Sequence, residues 1–244
     1  MALPMTEKER TEETAEKAEK CSPAPVEEVF QTLLKHFKTK PPSMDPFKVL
    51  ISTILSQRTR DENTEVAANN LLAKYPTPEE LAKADIKDVE KLIRPAGFYR
   101  AKAKSVVEVS RILVEKYGGE VPRDMETLLT LPSVGRKTAN CVLVYGYDMD
   151  ALPVDTHVHR ISNRLCWVRT KTPDETEKAL RDVIPRKYWK PINSLLIDFG
   201  RRVCLPSNPK CKICPIAHLC PSKKQSAANK KGEKSEKDRG GDVR

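Results

Sequence analysis

Leu131-Pro132-Ser133-Val134-Gly135-Arg136-Lys137-Thr138-Ala139 is the stretch that decides the fold. A short helix is predicted over about residues 124–130, opened by Asp124. It runs into a turn bearing Pro132 and Gly135, and a second helix is predicted to begin near Arg136. The start of that helix presents backbone N–H groups with no intrahelical partner, a ready site for a phosphate oxygen. Gly135 lets a ligand approach the backbone with no Cβ in the way. Such a hairpin grips nucleic acid by its backbone and reads no base. An ordinary turn between two helices has the same local pattern.

Outward from the hairpin the pattern stays helical. Asp45-Pro46 supplies an N-cap and a proline at the first helical position. Phe47, Leu50, Ile51, Ile54 and Leu55 then recur at helical spacing. Thr77-Pro78-Glu79-Glu80, Asp85 and Thr172-Pro173-Asp174-Glu175 mark further starts. Val106, Val109, Leu113 and Tyr117 form one apolar stripe, and Ile192, Leu195, Phe199 and Val203 another; both are predicted core faces. No alternating strand pattern stands out, so the fold class is all-α.

The chain has 244 residues, 44 Lys plus Arg against 34 Asp plus Glu, and a formal net charge of +10. Residues 1–22 and 221–244 are polar and charged and are predicted to be disordered tails. They carry −2 and +4, which leaves +8 on the body. That balance favours a polyanionic partner. No apolar run approaches a membrane span, and the first twenty residues lack the apolar core of a secretory signal. An intracellular protein is expected, cytoplasmic and at the nucleoid if prokaryotic.

Four of the seven cysteines crowd into Cys204, Cys211, Cys214 and Cys220, written C-x6-C-x2-C-x5-C. Clustering of this kind suggests metal ligation rather than a disulfide framework. One close pair is fewer than zinc ribbons usually carry, and four thiolates suit a cubane iron–sulfur cluster; zinc stays open as the alternative. Arg201, Arg202, Lys210 and Lys212 flank the group and offset its negative charge. Of the remaining cysteines, Cys21 is expected in the tail, and Cys141 and Cys166 are expected as core thiols.

Over about residues 25–220 the chain resembles the helix-hairpin-helix DNA glycosylases of the endonuclease III family. The resemblance rests on the hairpin, on Val154-Asp155-Thr156-His157 and on the cysteine spacing. The family hairpin reads Leu-Pro-Gly-Val-Gly, and Ser133 replaces its first glycine. The resemblance implies a bifunctional DNA glycosylase/AP lyase acting on oxidised pyrimidines and abasic sites. It assigns Lys137 as the imine-forming nucleophile and Asp155 as its catalytic carboxylate. It gives the four cysteines a [4Fe–4S] cluster. It points to Val134, Gly135, Arg136 and Thr138 as hairpin contacts to DNA.

Ile93-Arg94-Pro95-Ala96-Gly97-Phe98 resembles the family's wedge loop and Leu55-Ser56-Gln57-Arg58-Thr59 its gap-filling segment. Phe98, Gln57 and Arg58 are therefore candidates for insertion into the duplex; a buried aromatic is the other reading of Phe98. The implied architecture is two helical domains with a DNA-binding cleft between them, Lys137 and Asp155 on opposite sides. A helical barrel would span residues 40–149, and an iron–sulfur domain would combine 23–39 with 150–220. The expected partner is double-stranded DNA carrying damage, bound by a monomer. A monofunctional glycosylase and a non-catalytic DNA-binding protein remain the competing functions.

Overall fold

A computed structural model describes residues 21–42 and 45–223 of the chain. Among them every regular element is helical. In chain order these are α1 (Val26–His36), α2 (Pro46–Ser56), α3 (Asp61–Lys74), α4 (Pro78–Ala82), α5 (Ile86–Leu92), α6 (Tyr99–Tyr117) and α7 (Met125–Leu129). After them come α8 (Arg136–Cys141), α9 (Thr156–Arg164), α10 (Pro173–Val183) and α11 (Trp189–Arg202). α8 continues without a break into a π-helical turn, Val142–Gly146.

The predicted starts hold for local reasons. Asp45 accepts from Lys48 N–H at 2.9 Å, with Pro46 in the first turn. Thr77 and Glu80 form a reciprocal capping box. Asp85 accepts from the N–H groups of Lys87 and Asp88, and Asp124 from that of Thr127 at 2.8 Å. Each cap satisfies donors that the helix cannot pair internally.

The contacts divide the chain into two units. One is Thr39–Asp155 with Ile184–Ser194; the other takes the preceding residues, Thr156–Val183 and the remainder from Leu195 on. In the first, Leu50, Ile51, Ile54 and Leu55 of α2 meet the stripe of α6, whose Val106, Val109 and Leu113 are likewise fully buried. Burying each such side chain contributes about 1.5–3 kcal/mol. Gly146 closes the π-helical turn against α2: a Cβ there would stand 2.8 Å from Pro46 Cα. In the second unit Phe30 of α1 stacks on Trp167 at 5.6 Å, and Phe37 meets the edge of Phe199 at 5.2 Å. Trp167 Nε1 donates to Ala24 O at 2.8 Å.

Two expectations are corrected. Cys166 is not a core thiol: it is disulfide-bonded to Cys21, 145 residues away in sequence. That separation leaves no local trace, so the pairing is invisible to a reading of neighbours. Cys141 is a buried free thiol, as expected. Second, residues 221–223, expected in the C-terminal tail, are helical, and Ser222 Oγ donates to Arg164 O at 2.8 Å. Residues 1–20 and 224–244 of the predicted tails lie outside the described residues. The segment of the first unit that carries Lys137 ends at Asp155, and Thr156 opens a segment of the other unit.

Candidate active site

The hairpin turn forms without the family's first glycine. Ser133 adopts φ +60, the left-handed region that L-residues seldom occupy. Two contacts hold it there: its Oγ lies 2.8 Å from Ser105 Oγ on α6, and its carbonyl accepts from Gln57 Nε2 at 2.8 Å. Val134 and Thr138 are buried, and Val134 N–H donates to Leu131 O at 3.2 Å. Neither side chain therefore faces outward. Gly135 has φ −97, which any residue adopts, and an added Cβ would meet no protein atom within 4 Å. Nothing within the protein requires glycine at this position. α8 begins at the next residue with no side-chain cap.

Lys137 lies on the first turn of α8. One turn further on, Cys141 is fully buried, and burial pushes its thiol up. The positive charge of Lys137 pulls the other way, while the Asp155 carboxylate adds to the rise. Lys137 and Asp155 thus act on the same sulfur. Asn140 braces this arrangement. Its Oδ1 accepts from Leu152 N at 3.2 Å, and its Nδ2 donates to Arg136 O at 3.0 Å. It ties the lysine's helix to the segment that ends in Asp155, the residue directly before α9. His157 and His159, which follow it, are engaged with Arg160 and Thr176, at 3.1 and 2.6 Å.

The two loops expected to enter DNA are also formed. Phe98 is 64% exposed, which rules out the buried-aromatic reading, and it has φ +58. The Arg58 guanidinium lies 5.8 Å from the centre of its ring, and Arg58 itself has φ +52. Gln57 points instead to the hairpin carbonyl.

Cys204, Cys211, Cys214 and Cys220 line one cavity of about 580 Å³, with Ile161 and Phe199 in its apolar wall. Among the described residues no group of three or more His, Cys, Asp and Glu forms a ready site for a single metal ion. The four sulfurs do feel one another. Burial pushes Cys214 up to about 11, and the neighbouring thiols of Cys204, Cys220 and Cys211 push the same way. Arg164, which no local pattern pointed to, donates to Cys204 Sγ at 3.2 Å and to Leu205 O at 2.6 Å.

Residues 51–186 match the HhH-GPD superfamily of base excision DNA repair proteins. The chain belongs to that superfamily. Endonuclease III of Thermotoga maritima is 56% identical over 195 residues, covering 80% of this chain and 92% of the relative. An endonuclease III-like protein of Gallus gallus is 40% identical over 188 residues, 76% of this chain and 67% of its own length. A trapped endonuclease III–DNA covalent intermediate superposes with TM-score 0.74 at 34% identity, covering 83% of this chain and 99% of that one. A thermostable thymine-DNA glycosylase gives 0.72 at 27% identity, covering 81% and 96%. The HhH-GPD match spans the hairpin, Lys137, Asp155 and both loops, and ends before the four cysteines. No helix among the described residues is long and apolar enough to cross a membrane.

Proposed function

We infer that the chain is a base excision repair enzyme of the endonuclease III type, a bifunctional DNA glycosylase/AP lyase acting on damaged duplex DNA inside the cell. The observation that carries the chemistry is Lys137 at the start of the helix that follows a hairpin whose glycine faces open space, within a match to the base excision repair superfamily over residues 51–186.

The hairpin holds a DNA phosphate through the first N–H groups of α8 and the Arg136 side chain. A ring-saturated or oxidised pyrimidine is extruded from the stack, which an enzyme working on a base within a duplex requires. Phe98 and Arg58 fill the space it leaves. Lys137 Nζ, as the free amine, attacks C1′ of the nucleotide. The N-glycosidic bond breaks and the base leaves with its bonding pair, taking up a proton. Asp155 stabilises the positive charge that develops on the sugar and removes a proton from the lysine. The C1′–O4′ bond then opens, the ring oxygen takes up a proton, and the protonated imine that forms at C1′ makes the C2′ hydrogen acidic. Its loss expels the 3′ phosphate by β-elimination, and water then releases Lys137.

The four cysteines fit a [4Fe–4S] cluster by donor chemistry: four soft thiols around one partly apolar cavity. In this reading the cluster, when bound, supplies a cross-link that shapes the loop from Cys204 to Cys220 and takes no part in the steps above. The unit containing these cysteines then corresponds to an iron–sulfur domain, and the unit around α2 and α6 to the helical barrel.

The test is borohydride trapping on duplex DNA carrying thymine glycol or an abasic site, comparing wild type with Lys137→Gln. A covalent protein–DNA band in wild type, absent from the variant, is expected. Base release without a trapped band would instead assign a monofunctional enzyme and remove the nucleophile's role from Lys137.

A further inference from the structure

Lys102 lies in the first turn of α6, yet it is only 6% exposed. Burying an ammonium is costly unless its donors are all satisfied, and here they are. Its Nζ donates to Leu55 O at 2.6 Å, to Gln57 O at 2.6 Å and to Thr59 Oγ1 at 2.7 Å. The three acceptors lie in the last turn of α2 and in the loop that leaves it. Thr59 Oγ1 also accepts from Gly97 N–H at 3.1 Å and donates to Gln57 O at 3.3 Å. Gly97 packs directly on this loop, since a Cβ there would stand 3.0 Å from Arg58 O. Lys102 N–H, in turn, donates to Phe98 O at 3.1 Å.

Arg58 and Phe98 are the two residues around this hub held at positive φ. Non-glycine residues keep that conformation only where the surroundings over-determine it. The mechanism above makes no use of Lys102. We propose that Lys102 is a positioning residue: its buried ammonium locks the Gln57–Thr59 loop to the Gly97–Phe98 turn, so that Arg58 and Phe98 stand ready as one unit to replace the extruded nucleotide. The proposal rests on the reading of those two residues as the groups that enter DNA. A preformed pair lowers the ordering cost at the moment of insertion. Burial lowers the lysine to about 8. The acceptors favour the protonated form, because a neutral amine offers two N–H donors to three oxygens.

The experiment compares wild type, Lys102→Met and Thr59→Val as intact, cluster-bearing proteins. Two substrates separate insertion from chemistry: a thymine glycol duplex with 2-aminopurine beside the lesion, and an abasic site in single-stranded DNA, where there is no stack to fill. For Lys102→Met we expect the 2-aminopurine signal of unstacking to disappear and single-turnover base release to fall about tenfold or more, the scale of one lost charge-assisted hydrogen bond. Borohydride trapping on the single strand should stay at the wild-type yield. Equal loss on both substrates, or loss on neither, overturns the proposal. If Lys102→Met does not fold, Thr59→Val decides by the same split, with a smaller loss expected. Arg58→Ala and Phe98→Ala serve as controls. If neither alters the duplex signal, the assignment of those residues fails, whatever Lys102 does.

Discussion

Gly135 and Lys102 show how differently two residues yield to reading. Gly135 was legible as a functional glycine because the hairpin pattern is local, and the structure removes the competing explanation: its φ is ordinary and its missing Cβ faces nothing in the protein. Gly135→Ala should therefore leave thermal stability within about 0.5 kcal/mol of wild type, as for a benign surface change. The same variant should weaken duplex binding, measured by fluorescence anisotropy. A variant that binds normally would show that no phosphate approaches this backbone. Lys102 was illegible, because Arg100, Lys102 and Lys104 alternate like solvated cations and only the segment from Leu55 to Thr59 decides which one is enclosed. Phe98 misleads in the opposite sense: an aromatic after a glycine turn looks like core, yet it is the most exposed phenylalanine of those described. Burial is a property of partners distant in sequence.

At the scale of elements, boundaries were read well wherever a side chain caps its own helix, as at Asp45, Thr77, Asp85 and Asp124. The π-helical turn at Val142–Gly146 was not read, because its sequence is an ordinary apolar helix and the widening answers to packing such as Gly146 against Pro46. Gly146→Ala should cost about 1–3 kcal/mol in chemical denaturation, the range for overpacking a tight contact. Asp124 carries a pH dependence. Its hydrogen bond from Thr127 N–H holds the carboxyl below the usual carboxylate range. The folded value lies below the unfolded one, so its stabilisation is present above the unfolded pKa and is lost as pH falls through the folded pKa. Asp124→Asn keeps an acceptor without the charge. The difference in melting temperature between wild type and this variant should narrow as the solution is acidified, and a constant difference would count against the cap's ionic contribution.

At the scale of the whole molecule, the Cys21–Cys166 bridge joins residues 145 apart in sequence, and a cross-link that restrains so much unfolded chain stabilises by about 2–5 kcal/mol. Cys166→Ser should lower the melting temperature without reducing trapping at room temperature. An unchanged melting temperature would mean that the pair is reduced in solution.

The order in which the chain visits its two units has a consequence for its birth. α1 presents Val29, Phe30 and Leu33 to a core whose other members, Trp167, Phe199 and Val203 among them, are encoded far downstream. At common translation speeds that interval lasts on the order of ten to forty seconds. Through all of it the first helix leaves the ribosome with its apolar face uncovered. The growing chain should thus be a client of ribosome-bound chaperones well before it is a repair enzyme.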